Sequence, residues 1–154
     1  MIKIREYVEA DAQALWDIHF YTIRNINLRD YSQAQVEAWA PERIEWSIWT
    51  NRMNGLNPFV AEIDGIVVGY TDLQSDGLID HFFCHHEYQG MGVGKTLMNH
   101  VLAVGRERGI SRFYSEVSIT AKPFYEHFGF KVVQAQEMEV RGQKLRNFVM
   151  EKYS

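Results

Sequence analysis

Tyr88-Gln89-Gly90-Met91-Gly92-Val93-Gly94-Lys95 follows the apolar run Leu78 to Cys84 and opens a segment in which Val93, Leu97, Val101 and Val104 recur at helical spacing to about Arg108. A strand, a glycine loop and the start of a long amphipathic helix, in that order, leave about four backbone N–H groups unpaired at the positive end of a helix dipole. Such a junction favours a phosphate or pyrophosphate, and glycines remove the Cβ atoms that would hold an anion away from the N–H groups. Lys95, in the first helical turn, opposes the dipole but adds positive charge beside a phosphate. Two nucleotide motifs fail here. A Walker A loop needs glycine five positions before Gly94-Lys95-Thr96, where Gln89 stands. A dinucleotide fingerprint begun at Gly90 ends on Lys95, and one begun at Gly92 ends on Leu97. What remains is Gln-x-x-Gly-x-Gly from Gln89 to Gly94, which on spacing alone also suits a tight strand-to-helix turn with no ligand.

Upstream of the loop, Ile2 to Tyr7 alternates as a half-buried strand, and from Asp11, a suitable N-cap, Leu15, Ile18, Thr22 and Ile26 recur at helical intervals. Ser32 opens a helical stretch from Gln33 to Trp39, and Pro41 sits where a helix restarts, carrying Ile44, Ile48 and Trp49 on one side. Pro58 to Ile63 and Ile66 to Leu73 are strand-like runs joined by Asp64-Gly65, a two-residue hairpin signal because both turn positions need positive φ. Leu78 to Cys84 reads as the next strand. Downstream, Gly109 ends the long helix, Phe113 to Val117 supplies a strand, and Lys122 to Phe128 makes a short helix closed by Gly129. Phe130 to Val140 and Lys144 to Lys152 form a final pair of strands around Arg141-Gly142-Gln143.

The 154 residues, 46% of them hydrophobic, suffice for one compact α/β core, so residues 1–154 are read as a single domain. A net charge of -4 provides no basic field for a phosphate backbone and argues against a nucleic-acid partner. No apolar run approaches the roughly 18 residues that span a bilayer, so no membrane association is expected. Cys84 is the only cysteine and forms no internal disulfide, which makes the cytoplasm the expected compartment. The aromatics Trp16, Phe20, Tyr21, Tyr31, Trp39, Trp46 and Trp49 are read mainly as core, with some lining a substrate pocket.

The segment Ile79 to Met98 resembles the coenzyme A-binding motif of the Gcn5-related N-acetyltransferases, whose pattern is Arg/Gln-x-x-Gly-x-Gly/Ala at the same junction. A second stretch, Ala121-Lys-Pro-Phe-Tyr-Glu-His-Phe-Gly-Phe130, resembles that family's short helix carrying a tyrosine and ending in Gly-Phe. The two occur in the family's order and separation, and joint occurrence is far more specific than either alone. The resemblance covers essentially the whole chain and implies a mixed α/β fold with a central, twisted, mostly antiparallel sheet flanked by helices. It implies acetyl-CoA as cosubstrate and places Gln89, Gly90, Gly92, Gly94 and Lys95 at its pyrophosphate. The strand before the loop would splay from the strand after the long helix to admit the pantetheine arm. Backbone N–H groups of Phe82 and Cys84 would face its carbonyls. Ser118 stands where the family often has Asn, seven positions before Tyr125, and its shorter side chain would weaken one cofactor contact. Tyr125 occupies the position whose hydroxyl approaches the thioester sulfur, as acid or cofactor contact.

Acetyl transfer to an amine also asks for a proton acceptor. Asp80, His81 and Glu116 are the candidates on the flanking strands, and alternation puts Asp80 and His81 on opposite faces. No metal site is expected, because on a strand His81 and His85 stand roughly 13 Å apart at about 3.3 Å per residue. The acceptor, a small-molecule or peptide amine, is expected beside His19, Tyr21, Arg24, Tyr31 and Trp39. Two other readings stay open: a ligand-binding module of the same fold without turnover, and a nucleotide hydrolase resting on Gly94-Lys95-Thr96 alone. An open edge near the C-terminus leads to the expectation of a homodimer.

Overall fold

A computed structural model describes Met1–Ser154. The order is β1 (Ile2–Glu6), α1 (Ala12–Asn25), α2 (Gln33–Trp39), α3 (Trp46–Leu56), β2 (Phe59–Ile63), β3 (Ile66–Thr71), β4 (Phe82–Cys84), α4 (Val93–Glu107), β5 (Arg112–Ser118), α5 (Lys122–His127), β6 (Lys131–Val140) and β7 (Gln143–Tyr153). β1-β2-β3-β4 form one antiparallel sheet and β5-β7-β6 a second. At the β2–β3 turn Asp64 and Gly65 both have positive φ, as the hairpin signal requires.

Local chemistry sets the helix starts. Ser32 Oγ accepts the Gln35 N–H (3.1 Å) while Gln35 Oε1 accepts the Ser32 N–H (2.8 Å), a reciprocal capping box before α2. Asp11 does not cap α1 with its side chain: its carboxylate accepts the Val8 N–H (2.9 Å) and both Nη groups of Arg5 (2.8 Å each), tying β1 to the first helix. The helix expected to restart at Pro41 begins only at Trp46, and Ile48 faces solvent while Trp49 is buried with its Nε1–H on the Ala12 carbonyl (2.9 Å).

The largest departure is the strand expected over Leu78 to Cys84. Only Phe82–Cys84 pairs with β3. Further back, Leu78 makes a parallel bridge to Tyr114 of β5, with Ile79 N–H donating to the Tyr114 carbonyl (2.8 Å). The segment thus leaves one sheet and joins the other, and the two sheets diverge where it crosses.

α4 lies across this divergence. Val93 and Leu97 pack on Ala61 and Val68 of the first sheet, and Met98, Val101 and Leu102 pack among Phe113, Val117 and Met150 of the second. At about 1.5–3 kcal/mol for each fully buried side chain of this size, the helix holds both halves together by its apolar face. On the opposite side, α1 and α3 cover Val60 and Tyr70, while Ile23, Tyr31 and Val36 of the α1–α2 region reach Leu145 of β7. β6 is exposed along nearly its whole length. No helix is long and apolar enough to cross a membrane.

Candidate active site

The space between the diverging sheets is a cavity of about 990 Å³ that runs from the glycine loop to the α1–α2 region. His85 N–H bonds to the Val68 carbonyl (2.7 Å), so strand alternation turns the Phe83 N–H toward β3 and those of Phe82 and Cys84 toward the open side. The Cys84 carbonyl points the same way and accepts from Thr22 Oγ1 (2.8 Å) and Gln89 Nε2 (3.0 Å). The Gln89 side chain therefore ties the loop to the end of β4.

Gly92 is the N-cap of α4 with φ +85°, a conformation that a residue with a Cβ adopts only under strain, and no side chain caps the helix there. Gly90, Met91 and Gly92 donate no backbone hydrogen bond within the chain. Gly94 serves a different purpose: a Cβ there would meet Phe124 at 3.0 Å, so its absence lets α5 approach α4. Lys95 lines the same end of the cavity. The sequence-predicted residues Gln89, Gly90, Gly92, Gly94 and Lys95 thus come together around unpaired N–H groups at a helix N-terminus, a fit to a pyrophosphate.

Tyr125 is buried beneath this region, its ring edge-on to Phe82 (6.0 Å) and Phe130 (5.0 Å). Burial raises its pKa, only partly offset by hydrogen bonding to Ser115, so the phenol is held protonated. Ser118 Oγ accepts the Ala121 N–H (3.0 Å) and lies 3.4 Å from Asn27 Nδ2, so it fastens the turn into α5. Cys84 is half-buried on the cavity wall, and desolvation pushes its thiol up to about 12, which leaves it uncharged at neutral pH.

At the end of the cavity toward α1 and α3, His81 is buried, its Nδ1 3.0 Å from Tyr70 Oη and its Nε2 accepting from Arg52 Nε (3.1 Å). Arg52 also pairs with Asp80 (3.3 Å). Asp80 is exposed and His81 buried, yet both side chains reach the one Arg52 guanidinium, so they converge where alternation along a strand would have put them on opposite faces; the segment before Phe82 is not strand. Burial and the neighbouring His19 and Arg52 keep His81 well below the usual histidine range. His19 stacks on His81 (5.6 Å, 25°) and touches Trp49 and Phe83, and burial, helped by Arg52 and Arg141, pushes it down to about 3. Glu116 is exposed on β5, lines the cavity and makes no ion pair or side-chain hydrogen bond. Tyr31 and Trp39 also line the cavity; Tyr21 and Arg24 do not, and Arg24 is held on the Ala40 carbonyl (2.9–3.0 Å). On the rim, His85, His86 and Glu87 present ligand-type atoms within 4.8 Å of one another, a grouping the strand-spacing argument did not weigh, and His85 Nδ1 already accepts the Glu87 N–H (3.0 Å).

Sequence reasoning missed Asp72, Arg52, Thr22 and Asn147. Asp72 is wholly buried, and its carboxylate accepts the N–H groups of Asp80 (3.1 Å) and His81 (2.6 Å) and the Gln74 amide (2.6 Å). It shapes the crossing segment from within. Desolvation raises its pKa from 3.8 to about 6. A folded-state value above the unfolded one means that stability from this group is fully present below pH 3.8 and is lost as pH rises through about 6, by about 3 kcal/mol at 1.36 kcal/mol per unit. Asp72→Asn keeps an oxygen for both N–H groups and removes the titration. Denaturant unfolding at pH 4.5, 6 and 8 is therefore expected to show a smaller loss of stability with rising pH in the variant, and parallel profiles would contradict this account.

Residues 27–152 match the family model described as an acetyltransferase (GNAT) domain. The chain is 33% identical over 149 residues to the uncharacterized N-acetyltransferase YafP of Escherichia coli (strain K12), covering 97% of this chain and 94% of that protein. A crystal structure from Rhodopseudomonas palustris, described as a GCN5-related N-acetyltransferase (aminotransferase, class-II), superposes with a TM-score of 0.94 at 28% identity, covering 99% of this chain and 95% of that one. The PaiA N-acetyltransferase of Thermoplasma acidophilum, solved in complex with coenzyme A, shares the fold with a TM-score of 0.76 at 20% identity, covering 100% of this chain and 99% of that one.

Proposed function

Because the chain belongs to the GNAT family of acetyltransferases, we propose that it transfers the acetyl group of acetyl-CoA directly to a primary amine held at the α1–α2 end of the cavity. The observation that carries this reading is the cleft itself: unpaired N–H groups at the glycine loop, the N–H groups of Phe82 and Cys84 on the open side, and a protonated phenol at Tyr125 share one cavity.

The amine nitrogen attacks the thioester carbonyl, and the N–H groups of β4 stabilise the oxygen as it gains negative charge. The C–S bond then breaks and the departing sulfur takes a proton from Tyr125. Cys84 carries no acyl group along the way, since its thiol stays protonated. The ammonium proton goes to Glu116, directly or through a water. Among the three candidate acceptors it alone is uncommitted, because Asp80 is paired to Arg52 and the Nε2 lone pair of His81 receives the Arg52 N–H. Asp80 and His81 then position the acceptor end and do not carry protons. The exposed β6 edge is the surface on which the expected self-pairing would have to form.

The test is release of free thiol from acetyl-CoA with a panel of small amines and short peptides. Thiol release that depends on an amine and is matched by acetylated product is expected. Binding of coenzyme A without any amine-dependent release would make the protein a binding module.

A further inference from the structure

The gap between β4 and β5 opens on two faces of the sheets, and alternation along the strands sorts the side chains between them. Phe82 turns to the face that α4 and α5 cover, where its ring meets Phe124 (5.3 Å) and Tyr125 (6.0 Å). Phe83 turns the other way, edge-on to His19 of α1 (4.8 Å) and to Trp39 of α2 (6.4 Å). On β5, Val117 packs with α4, whereas Ser118 approaches Asn27 beyond α1 (3.4 Å), and Glu116, two residues before Ser118, shares that second face. The glycine loop opens α4 and so serves the first face, which leaves the second to the acceptor.

That second face is an apolar wall. Trp39 meets Tyr31 edge-on (5.6 Å), and Trp39, Phe83 and Val140 are half-buried and pack on one cluster with Tyr31 and Leu145. All of them line the cavity, so the surface they leave accessible is covered favourably only by an apolar body. The surrounding charges limit what else that body carries. Arg52 is paired with Asp80, Arg24 is held on the Ala40 carbonyl, and Lys95 stands at the glycine loop. Arg141, next to Val140, is in no ion pair; it is exposed, donates to the Ala38 carbonyl (2.7 Å) and does not line the cavity, yet its charge and that of Arg52 both bear on His19. A second ammonium on the acceptor would enter this positive field, and the one uncommitted carboxylate of the cavity, Glu116, serves the reacting amine. A carboxylate would gain the field without a contact and would lose its water against Trp39, Phe83 and Val140. An uncharged apolar body incurs neither cost.

We propose that Trp39, Phe83, Tyr31, Val140 and Leu145 form the acceptor subsite, and that it selects a primary amine whose body is an uncharged aromatic ring on a short alkyl chain. This rests on the acetyltransferase reading and adds the substrate class. The Trp39 and Phe83 rings meet at 62°, so a third ring stacked on one stands roughly edge-on to the other, and both arrangements gain more than the buried area alone. An alkyl chain of the same length gains only the area.

The experiment compares kcat/KM for primary amines of similar length: 2-phenylethylamine, hexylamine, 1,6-diaminohexane and 6-aminohexanoate. Phenylethylamine is expected to lead hexylamine by about fivefold, the usual worth of an aromatic pair, and to lead the diamine and the amino acid by about tenfold or more. In Trp39→Leu the ratio of phenylethylamine to hexylamine should fall to about one, while protection by coenzyme A alone persists because the cofactor occupies the other face. In Val140→Lys, the deciding variant if the first does not fold, the wall gains a cation and 6-aminohexanoate should gain on phenylethylamine by about tenfold. Equal rates for phenylethylamine and hexylamine, preference for the diamine or the amino acid, or an unchanged ratio in a folded variant overturns the proposal. Amine-dependent thiol release without the expected order sinks the subsite and leaves acetyl transfer standing. If no amine is turned over, each is ranked by the protection it adds against thermal unfolding with coenzyme A present. Phenylethylamine first in that ranking sinks acetyl transfer and leaves the subsite, and equal protection by all sinks both.

Discussion

Tyr125→Phe is expected to bind coenzyme A nearly as tightly as the natural protein and to turn over about 10²–10⁴-fold more slowly, the usual worth of a general acid. The ring is enclosed by Phe82, Phe124 and Phe130, so its packing survives loss of the oxygen, while the protonated group proposed to serve the departing sulfur is removed. The raised pKa sharpens the expectation: the phenol keeps its proton across the neutral and mildly alkaline range, so the natural protein's rate should not fall there through loss of this acid. Steady-state kinetics and a coenzyme A binding isotherm on the same preparation decide the matter. Loss of binding together with rate would make the hydroxyl a cofactor anchor, and an unchanged rate would assign the proton to water.

The second large effect is expected at Gly92. Coenzyme A at 100 times its Kd stabilises the native state by about 2.7 kcal/mol and raises the Tm accordingly. Gly92→Glu should abolish that shift, because a carboxylate at the N-cap of α4 brings like charge to the pyrophosphate and its Cβ strains a backbone held at φ +85°. Only Ile2 Cδ1, at 4.0 Å, stands near the added carbon, so the unliganded variant should fold with a modest loss of Tm from the strain. Equal protection of both proteins by coenzyme A would take the glycine loop out of the cofactor site.

The parts of this molecule written into short stretches of sequence were legible before the structure. Asp64-Gly65 needs positive φ at both positions, Ser32 finds its capping partner three residues on, and the glycine loop abuts the helix it opens. Sequence alone did not reveal what depends on a distant partner. Leu78 to Cys84 reads as one apolar run, yet half of it answers to Tyr114 on β5 and half to β3, and the change of partner leaves no periodic mark. Asp72 looks like a loop carboxylate until the N–H groups of Asp80 and His81 close on it. Among the residues placed at the acceptor end, His19, Tyr31 and Trp39 reached the cavity, whereas Arg52 and Asn147 lie on segments with no motif, and only tertiary folding brings them to the wall. Ser118, expected to make a weaker cofactor contact than Asn, lines the cavity and also fastens the turn into α5, a second task that its sequence position did not announce.

The half-buried setting of the Cys84 thiol has a practical side. With one cysteine in the chain and its sulfhydryl raised to about 12, the polypeptide contributes little thiolate of its own at neutral pH. Chromogenic disulfide reagents added to a reaction mixture should therefore colour with the liberated coenzyme alone, giving a continuous optical record of turnover with a flat baseline. Thiol-directed alkylating agents should likewise react slowly with the catalyst, whereas peroxide still meets the exposed thioethers of Met91 and Met138.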